Sequence, residues 1–306
     1  MDVPKKEAQM GESLKNEAQL ATTVRELPEA LRALLRKIRV GEERSVSAAL
    51  RVAAYEGQAE AVGMLLPHCQ DFEAASRALI NAAAQGKIDC VKLLMPALAE
   101  LAGGPGTLLA NAAARALQQA AGFGSESCVQ ALATWCDPSA NTSMALQWAA
   151  EEGHFECVRF LMPVSRPQDM ESMALRLASK KGHAKCVELL LPASQPSARN
   201  FEALETAIKD GLLDCAKLLL PFVDSQEEAL RLLAVAIDAR NEYCARELAG
   251  KLDLGVFVEN APSLERRARQ ARHPKLAEEI ASWSEQRMLE AHLSVAAPAG
   301  NRASRL

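Results

Sequence analysis

Aromatic residues are scarce in this chain of 306 residues, only 4% of the total, while alanine and leucine abound. That composition argues against a sheet-based core and for closely spaced helices. No run of about 18 apolar residues offers a membrane span, and the start, MDVPKKEAQMGESLKNEAQL, lacks the apolar stretch of a secretory signal. The formal net charge is only -4, with both signs interspersed, which gives no general reason to expect nucleic acid or a membrane surface as partner. A phosphate loop, an HExxH helix, a GxSxG elbow and a paired CxxC are all missing, so no catalytic motif points to an enzyme.

What the chain has is a repeat. Leucines recur at Leu50, Leu79, Leu117, Leu146, Leu175, Leu204 and Leu233, in steps of 29 residues except for one of 38. Three residues after each stands an alanine: Ala53, Ala82, Ala120, Ala149, Ala178, Ala207 and Ala236. Seven after it stands Gly57, Gly86, Gly124, Gly153, Gly182 or Gly211, and in the last copy Arg240. Such regularity means a solenoid, in which each unit hides its apolar face only by stacking on its neighbours. Within one copy Leu146, Ala149 and Ala150 share a helical face, Gly153 ends that helix, and Cys157, Val158 and Leu161 form the face of a second. Each unit is therefore expected to be a helical hairpin. Pro67, Pro96, Pro163, Pro192 and Pro221 are expected to close the second helix, because proline cannot continue it. The next ten or so residues, such as VSRPQDMES, read as a polar connector.

The array is placed at residues 45–284, seven repeats followed by a worn copy in which Leu264 and Ala268 mimic the first helix and Leu276 and Ile280 the second. Exposed Arg266, Arg267, Arg269 and Lys275 would make that copy a solubilising cap. Residues 1–44 read as a polar extension carrying a cap helix over 24–39, marked by Leu27, Leu31, Leu34 and Leu35. Residues 285–306 read as a helix end and a disordered tail. The nine extra residues between Pro96 and Leu117 predict a Gly/Pro loop and an added helical turn.

The run AL-x-x-AA-x-x-GH-x-x-CV-x-x-L-L resembles the ankyrin repeat, whose pattern is TPLH-x-AA-x-x-GH-x-x-[IV]V-x-x-LL before a Gly-Ala-Asp hairpin. Ala149, Ala150, Gly153, His154, Val158 and Leu161 match it position by position. The ECV-x-LLLP form is also similar to a variant in bacterial ankyrin-repeat proteins. The resemblance implies an all-α solenoid of helical hairpins, with hairpin loops about four residues shorter than the family's and so blunter as binding fingers.

Several motifs have bland and sharp readings. Cys90, Cys128, Cys157, Cys186, Cys215 and Cys244 hold one repeat position, where Ala61 stands in the first copy. Stacked units place such atoms roughly 10 Å apart, too far for disulfides, and exchange with alanine marks a small buried side chain. A zinc site from His68, Cys69 and Cys136 lacks paired-ligand spacing. Free thiols favour a reducing compartment. His154 and His183 occupy the family's histidine position, where the ring bonds backbone across the turn. Glu151 and Glu152 are adjacent and diverge by about 100° on a helix, which is poor geometry for paired acid and base. No catalytic, cofactor or metal residue is assigned.

Positions freed from packing are the ones a partner can tune. The two residues before each glycine lie at the end of the first helix, facing the concave groove in ankyrin proteins, and Trp148 stands among smaller counterparts. The candidate binding residues are Tyr55, Glu56, Gln85, Phe123, Trp148, Glu151, Glu152, Lys180, Lys181, Lys209 and Asp210. The expected function is noncatalytic protein binding by a cytoplasmic monomer, with no cofactor, nucleic acid or membrane. The alternative is a bacterial effector exported into a host cell, with residues 1–23 as secretion signal. Nucleic-acid binding through Arg32, Arg36, Lys37 and Arg39, or through the Arg266 to Lys275 cluster, is disfavoured because cap helices carry solvated charge anyway.

Overall fold

The structure, a computed structural model, describes residues 29–37 and 45–296. Leu27, Leu34, Arg39, the segment 1–23 and the tail beyond residue 296 carry readings that lie outside the described residues or side chains. Seventeen α-helices and no strand are found among the described residues. The fold is an all-α repeat solenoid. Contacts divide the chain into two compact units, the first ending at Met170 and the second starting at Glu171.

The first unit holds α1 (Glu29–Lys37), α2 (Val46–Glu56), α3 (Ala59–Leu65), α4 (Phe72–Ala84), α5 (Ile88–Leu101), α6 (Thr107–Gly122), α7 (Glu126–Leu132), α8 (Ala140–Glu151) and α9 (Phe155–Leu161). Helix α10 (Asp169–Lys180) begins at the junction. The second unit continues with α11 (Ala184–Leu190), α12 (Ala198–Lys209), α13 (Leu213–Leu219), α14 (Gln226–Asp238), α15 (Glu242–Lys251), α16 (Leu254–Gln270) and α17 (Pro274–Ala296).

The repeated residues explain the hairpin. Each ladder leucine and alanine is buried, with Leu146 and Ala149 both at 0% exposure. A fully buried leucine contributes about 2 kcal/mol. The alanine has a second duty. Its carbonyl accepts the N–H of the residue following the glycine, as from Gln58 to Ala53 (2.9 Å), Ser125 to Ala120 (2.8 Å), His154 to Ala149 (2.9 Å) and Leu212 to Ala207 (2.8 Å). This bond closes the first helix as a Schellman motif, which requires a left-handed residue between the partners. Gly124 (φ 74°) and Gly153 (φ 77°) supply it. Arg240 (φ 56°) and Arg272 (φ 59°) adopt the same geometry without glycine, so the turn is kept where its residue is lost.

One expectation about the connectors needs correction. Pro67, Pro163, Pro192 and Pro221 sit in single 3-10 turns that close the second helix, but Pro96 lies inside α5. The second helix there runs on to Leu101, and Thr107–Gly122 is lengthened to 16 residues, so the insertion extends both helices around a short glycine loop. The polar connector holds a repeated turn. Asn141, Thr142 and Ser143 form one left-handed turn, repeated at Met170, Glu171 and Ser172 and at Arg199, Asn200 and Phe201. The buried Ser143 hydroxyl donates to Asp169 Oδ2 (2.8 Å) and accepts the Arg166 N–H (2.9 Å), while Ser172 Oγ accepts the Gln195 N–H (2.8 Å). Two of these connectors are thus fastened through a buried serine.

Candidate functional site

In the first unit, α6 and α8 end side by side and their variable residues gather. Gly122, Phe123, Trp148, Glu151, Glu152 and His154 line an open notch of about 500 Å³. Phe123 is 61% exposed, whereas Trp148 is half-buried. Gly122 makes the notch possible: a Cβ there would stand 3.2 Å from Trp148 Cε3, so the indole lies against bare backbone. His154 pins the same helix end, its Nε2 standing 3.0 Å from the Gly122 carbonyl oxygen and donating to it. This bond crosses to the preceding repeat and does not span the histidine's own turn.

The register repeats. The residue after one copy's glycine lies against the glycine of the preceding copy, Lys87 on Gly57, Ser125 on Gly86 and His154 on Gly124 in the first unit, and Leu212 on Gly182 in the second. At Gly124, where a Cβ would stand 2.5 Å from the His154 ring, close approach excludes a side chain as well as φ.

These hairpins, their turns and their spacing meet the comparisons with known proteins. A family model described as ankyrin repeats, in three copies, matches residues 117–200. Residues 117–200 carry ankyrin repeats. The crystal structure of the human ASB11 ankyrin repeat domain matches with a TM-score of 0.53 at 20% sequence identity, over 67% of this chain and 97% of that one. At that identity the likeness is one of fold. No curated protein matches the sequence.

Of the eleven candidate positions, the ankyrin repeats of the first unit bring four together: Phe123, Trp148, Glu151 and Glu152. Tyr55, 50% exposed, and Glu56 line a separate hollow with Arg51, Val52, Ala48 and Asn81. Gln85 is exposed as the residue capping α4. In the second unit Lys180, Lys181, Lys209 and Asp210 are exposed at first-helix ends, and Lys209 pairs with Glu205 at 2.6 Å. Gly122, one of the two residues before Gly124, was not among the candidates, and its packing role is what sequence reasoning missed. Its signal was a glycine in the last turn of a helix, which costs about 1 kcal/mol against alanine and asks for a packing reason.

The second unit has a larger open trough, about 960 Å³, along α14 and α16. Two of its arginines are paired within the chain. Arg267 grips Asp238 with two bonds of 2.8 and 2.6 Å, and Arg231 binds Glu205 and Glu228. The guanidinium of Arg267 holds the Asp238 carboxyl below its ordinary value. A smaller hollow lies between α15 and α17, where Arg287 donates to Ala249 O (2.9 Å), Gly250 O (3.1 Å) and Leu252 O (3.1 Å). Those bonds satisfy the carbonyls at the end of α15, a structural duty.

The six ladder cysteines are all buried, at no more than 1% exposure. Burial raises their thiol pKa values, to about 11 at Cys157, Cys215 and Cys244. All eight cysteines are free thiols. Off the ladder, Cys69 Sγ donates to Asp71 O (3.7 Å) and Cys136 Sγ to Leu132 O (3.5 Å). Among the described residues no group of three or more His, Cys, Asp and Glu side chains is gathered for a metal, and no helix is long and apolar enough to cross a membrane.

Proposed function

We propose that the chain is a noncatalytic interaction scaffold that binds a protein partner through the first-helix ends of its ankyrin repeats. The observation that carries this reading is the contrast within one repeat. Leucine, alanine and cysteine positions are consumed by packing, while the residues just before the glycine present Tyr55 and Phe123 to solvent. Exposed aromatic rings beside charge are the composition of interface anchors. The chain acts as a monomer in a reducing cytoplasmic compartment, without cofactor or nucleic acid, a setting that eight free thiols favour.

Site-directed photo-crosslinking tests this. A benzoylphenylalanine at position 123 should capture a partner in native lysate, and the capture should weaken when Trp148→Ala is added. The same group at exposed Lys92, on a second helix, should not capture that partner. Equal capture from both positions would move the binding face elsewhere.

A further inference from the structure

At the ends of α14 and α16 the second unit gathers arginines that its own carboxylates leave unanswered, and the inference drawn from them rests on the first-helix ends being the binding face. Elsewhere along these first helices arginines are paired one repeat away: Arg176 with Glu202 (2.6 Å), Arg199 with Glu171 (2.6 Å), Arg231 with Glu205, and Arg267 with Asp238 (2.6 Å). Residues 238–242 and 266–275 carry six cations against two carboxylates, Asp238 and Glu242. Asp238 is held by Arg267, Glu242 lies 3.2 Å from His273 Nε2, and Arg269 reaches Glu265 (3.5 Å). Among the described residues no carboxylate pairs with Arg240, Arg266, Arg272 or Lys275, and all four are exposed.

Exposed cations alone are what a solenoid cap needs for solubility. Arg240 and Arg272 are different, because they hold turn positions at φ 56° and 59° where six earlier copies have glycine. A side chain there strains the backbone, and strain of that kind persists where a site has a use for the residue. The two arginines are also brought together. Arg240 Nε donates to the carbonyl of Ala271 (2.9 Å), the residue before Arg272, and its two terminal nitrogens have no partner among the described residues. Ala271 lines the trough of about 960 Å³ together with Arg266 and Gln270, so both turns flank its rim. Half-buried Leu230, Ala234 and Val235 supply an apolar wall. The exposed acid of the lining, Glu227, lies at the opposite end of α14, about 16 Å from Asp238 along the helix.

We propose that this end of the trough binds an acidic segment of the protein partner. Carboxylates of that segment pair with Arg240 and Arg272, Arg266 takes a third, and an apolar side chain between them packs on Leu230 and Val235. The grip of Arg267 on Asp238, at 2.8 and 2.6 Å, is the same pairing made within the chain. A peptide can place its acids opposite the arginines alone, whereas a nucleic-acid backbone would carry phosphates past Asp238, Glu242 and Glu227 as well. Glycine would serve either turn at no conformational cost. Arginine therefore adds charge at position 272, and charge plus one exposed bond at position 240. The partner gains orientation and encounter rate from it as much as affinity.

The test uses the full chain and a rhodamine-labelled peptide, Leu-Glu-Glu-Leu-Asp-Glu-Leu, whose fluorescence anisotropy is followed at low salt. The peptide should bind saturably, and more weakly as salt is added. Its uncharged counterpart, with glutamine and asparagine in place of the acids, should bind at least about tenfold more weakly. Arg240→Gly combined with Arg272→Gly should weaken the acidic peptide at least about tenfold while the melting temperature stays level or rises. Arg266→Gln should weaken it several-fold. Lys92→Gln combined with Arg115→Gln, which removes the same charge from exposed positions of the first unit, should leave binding unchanged. No saturable binding, equal binding of the uncharged peptide, or equal losses from the two double variants would overturn the proposal. Tighter binding of a rhodamine-labelled single-stranded RNA of equal charge would overturn it too, by placing a nucleic acid at these turns. If position 123 still captures a partner while the acidic peptide fails, the first-helix ends stand as the binding face and only this chemistry falls. Failure of both removes both.

Discussion

Gly124 and His154 meet across two repeats so closely that a Cβ on the glycine would stand 2.5 Å from Nδ1 of the ring. Gly124 also has φ 74°, so two separate constraints exclude a side chain. Gly211 (φ 68°) has nothing within 4 Å of its own hypothetical Cβ and faces only the backbone constraint. Gly211→Ala is expected to cost about 1 kcal/mol for the left-handed conformation. Gly124→Ala should cost roughly 1 kcal/mol more, because His154 must leave its bond to the Gly122 carbonyl. Urea unfolding of both variants checks the difference. Adding His154→Ala to Gly124→Ala should recover part of it, a coupling that additive behaviour would contradict.

The cysteine ladder makes stability depend on alkaline pH. In the unfolded chain a thiol ionises near its ordinary value, about 8.5, whereas burial in the fold raises Cys157, Cys215 and Cys244 to about 11. Between those values the unfolded state has lost protons that the folded state keeps. Stability is therefore fully present below about pH 8.5 and falls as pH rises toward 11. Cys157→Ala should flatten the pH dependence slightly at a cost of about 1 kcal/mol or less for the cavity it leaves. A native chain that reacts with a thiol reagent at pH 8 at the rate of the unfolded chain would contradict the burial.

The residues that made the fold legible are those whose chemistry has one structural use. The leucine, alanine and glycine ladder specified hairpin, turn and period, because an alanine carbonyl and a left-handed glycine are both needed to close the helix. The left-handed turns at 141–143, 170–172 and 199–201 were hidden because only asparagines 141 and 200 hint at that conformation, and local preference opposes it at Thr142 and Phe201. Buried bonds such as Ser143 to Asp169 hold those turns, and sequence proximity does not reveal a partner 26 residues away. The course of α5 through Pro96 escaped for a similar reason, since proline's local preference to end a helix was overridden by the extension on both sides. Four notch residues were readable as variable positions. Gly122 stands at one of the same positions, but its part in making the notch was not readable, because its role is to contribute no side chain.

The serine bond that fastens one connector should be separable from the strain beside it. Ser143→Ala removes the acceptor of the Arg166 N–H and the donor to Asp169 and is expected to cost about 1–2 kcal/mol. Thr142, exposed and at φ 60°, is a β-branched residue in the left-handed region. Thr142→Gly should therefore raise stability by up to about 1 kcal/mol, after the extra freedom it gives the unfolded chain. Opposite signs for two neighbouring residues in the same melting assay are the expected outcome. A loss on both would place the strain elsewhere.

Arg240 tests whether a side-chain bond can stand in for glycine. It keeps the left-handed turn at φ 56°, and its Nε donates to the Ala271 carbonyl at 2.9 Å. The following Asn241 side chain caps α15 through the Cys244 N–H (3.2 Å) and reaches the Ile208 carbonyl (3.4 Å), holding the turn from its other side. Arg240→Ala retains the backbone cost and loses the bond, so it should be the least stable form. Arg240→Gly loses the same bond but gains the conformational relief, and should exceed the alanine variant by about 1 kcal/mol. The bond is exposed, so its own contribution is expected to be about 1 kcal/mol or less, leaving glycine and arginine forms close together. Urea midpoints of the three proteins should therefore rank glycine near arginine and both above alanine. An alanine variant as stable as the glycine one would show that the turn, once Asn241 is in place, carries no backbone strain at residue 240.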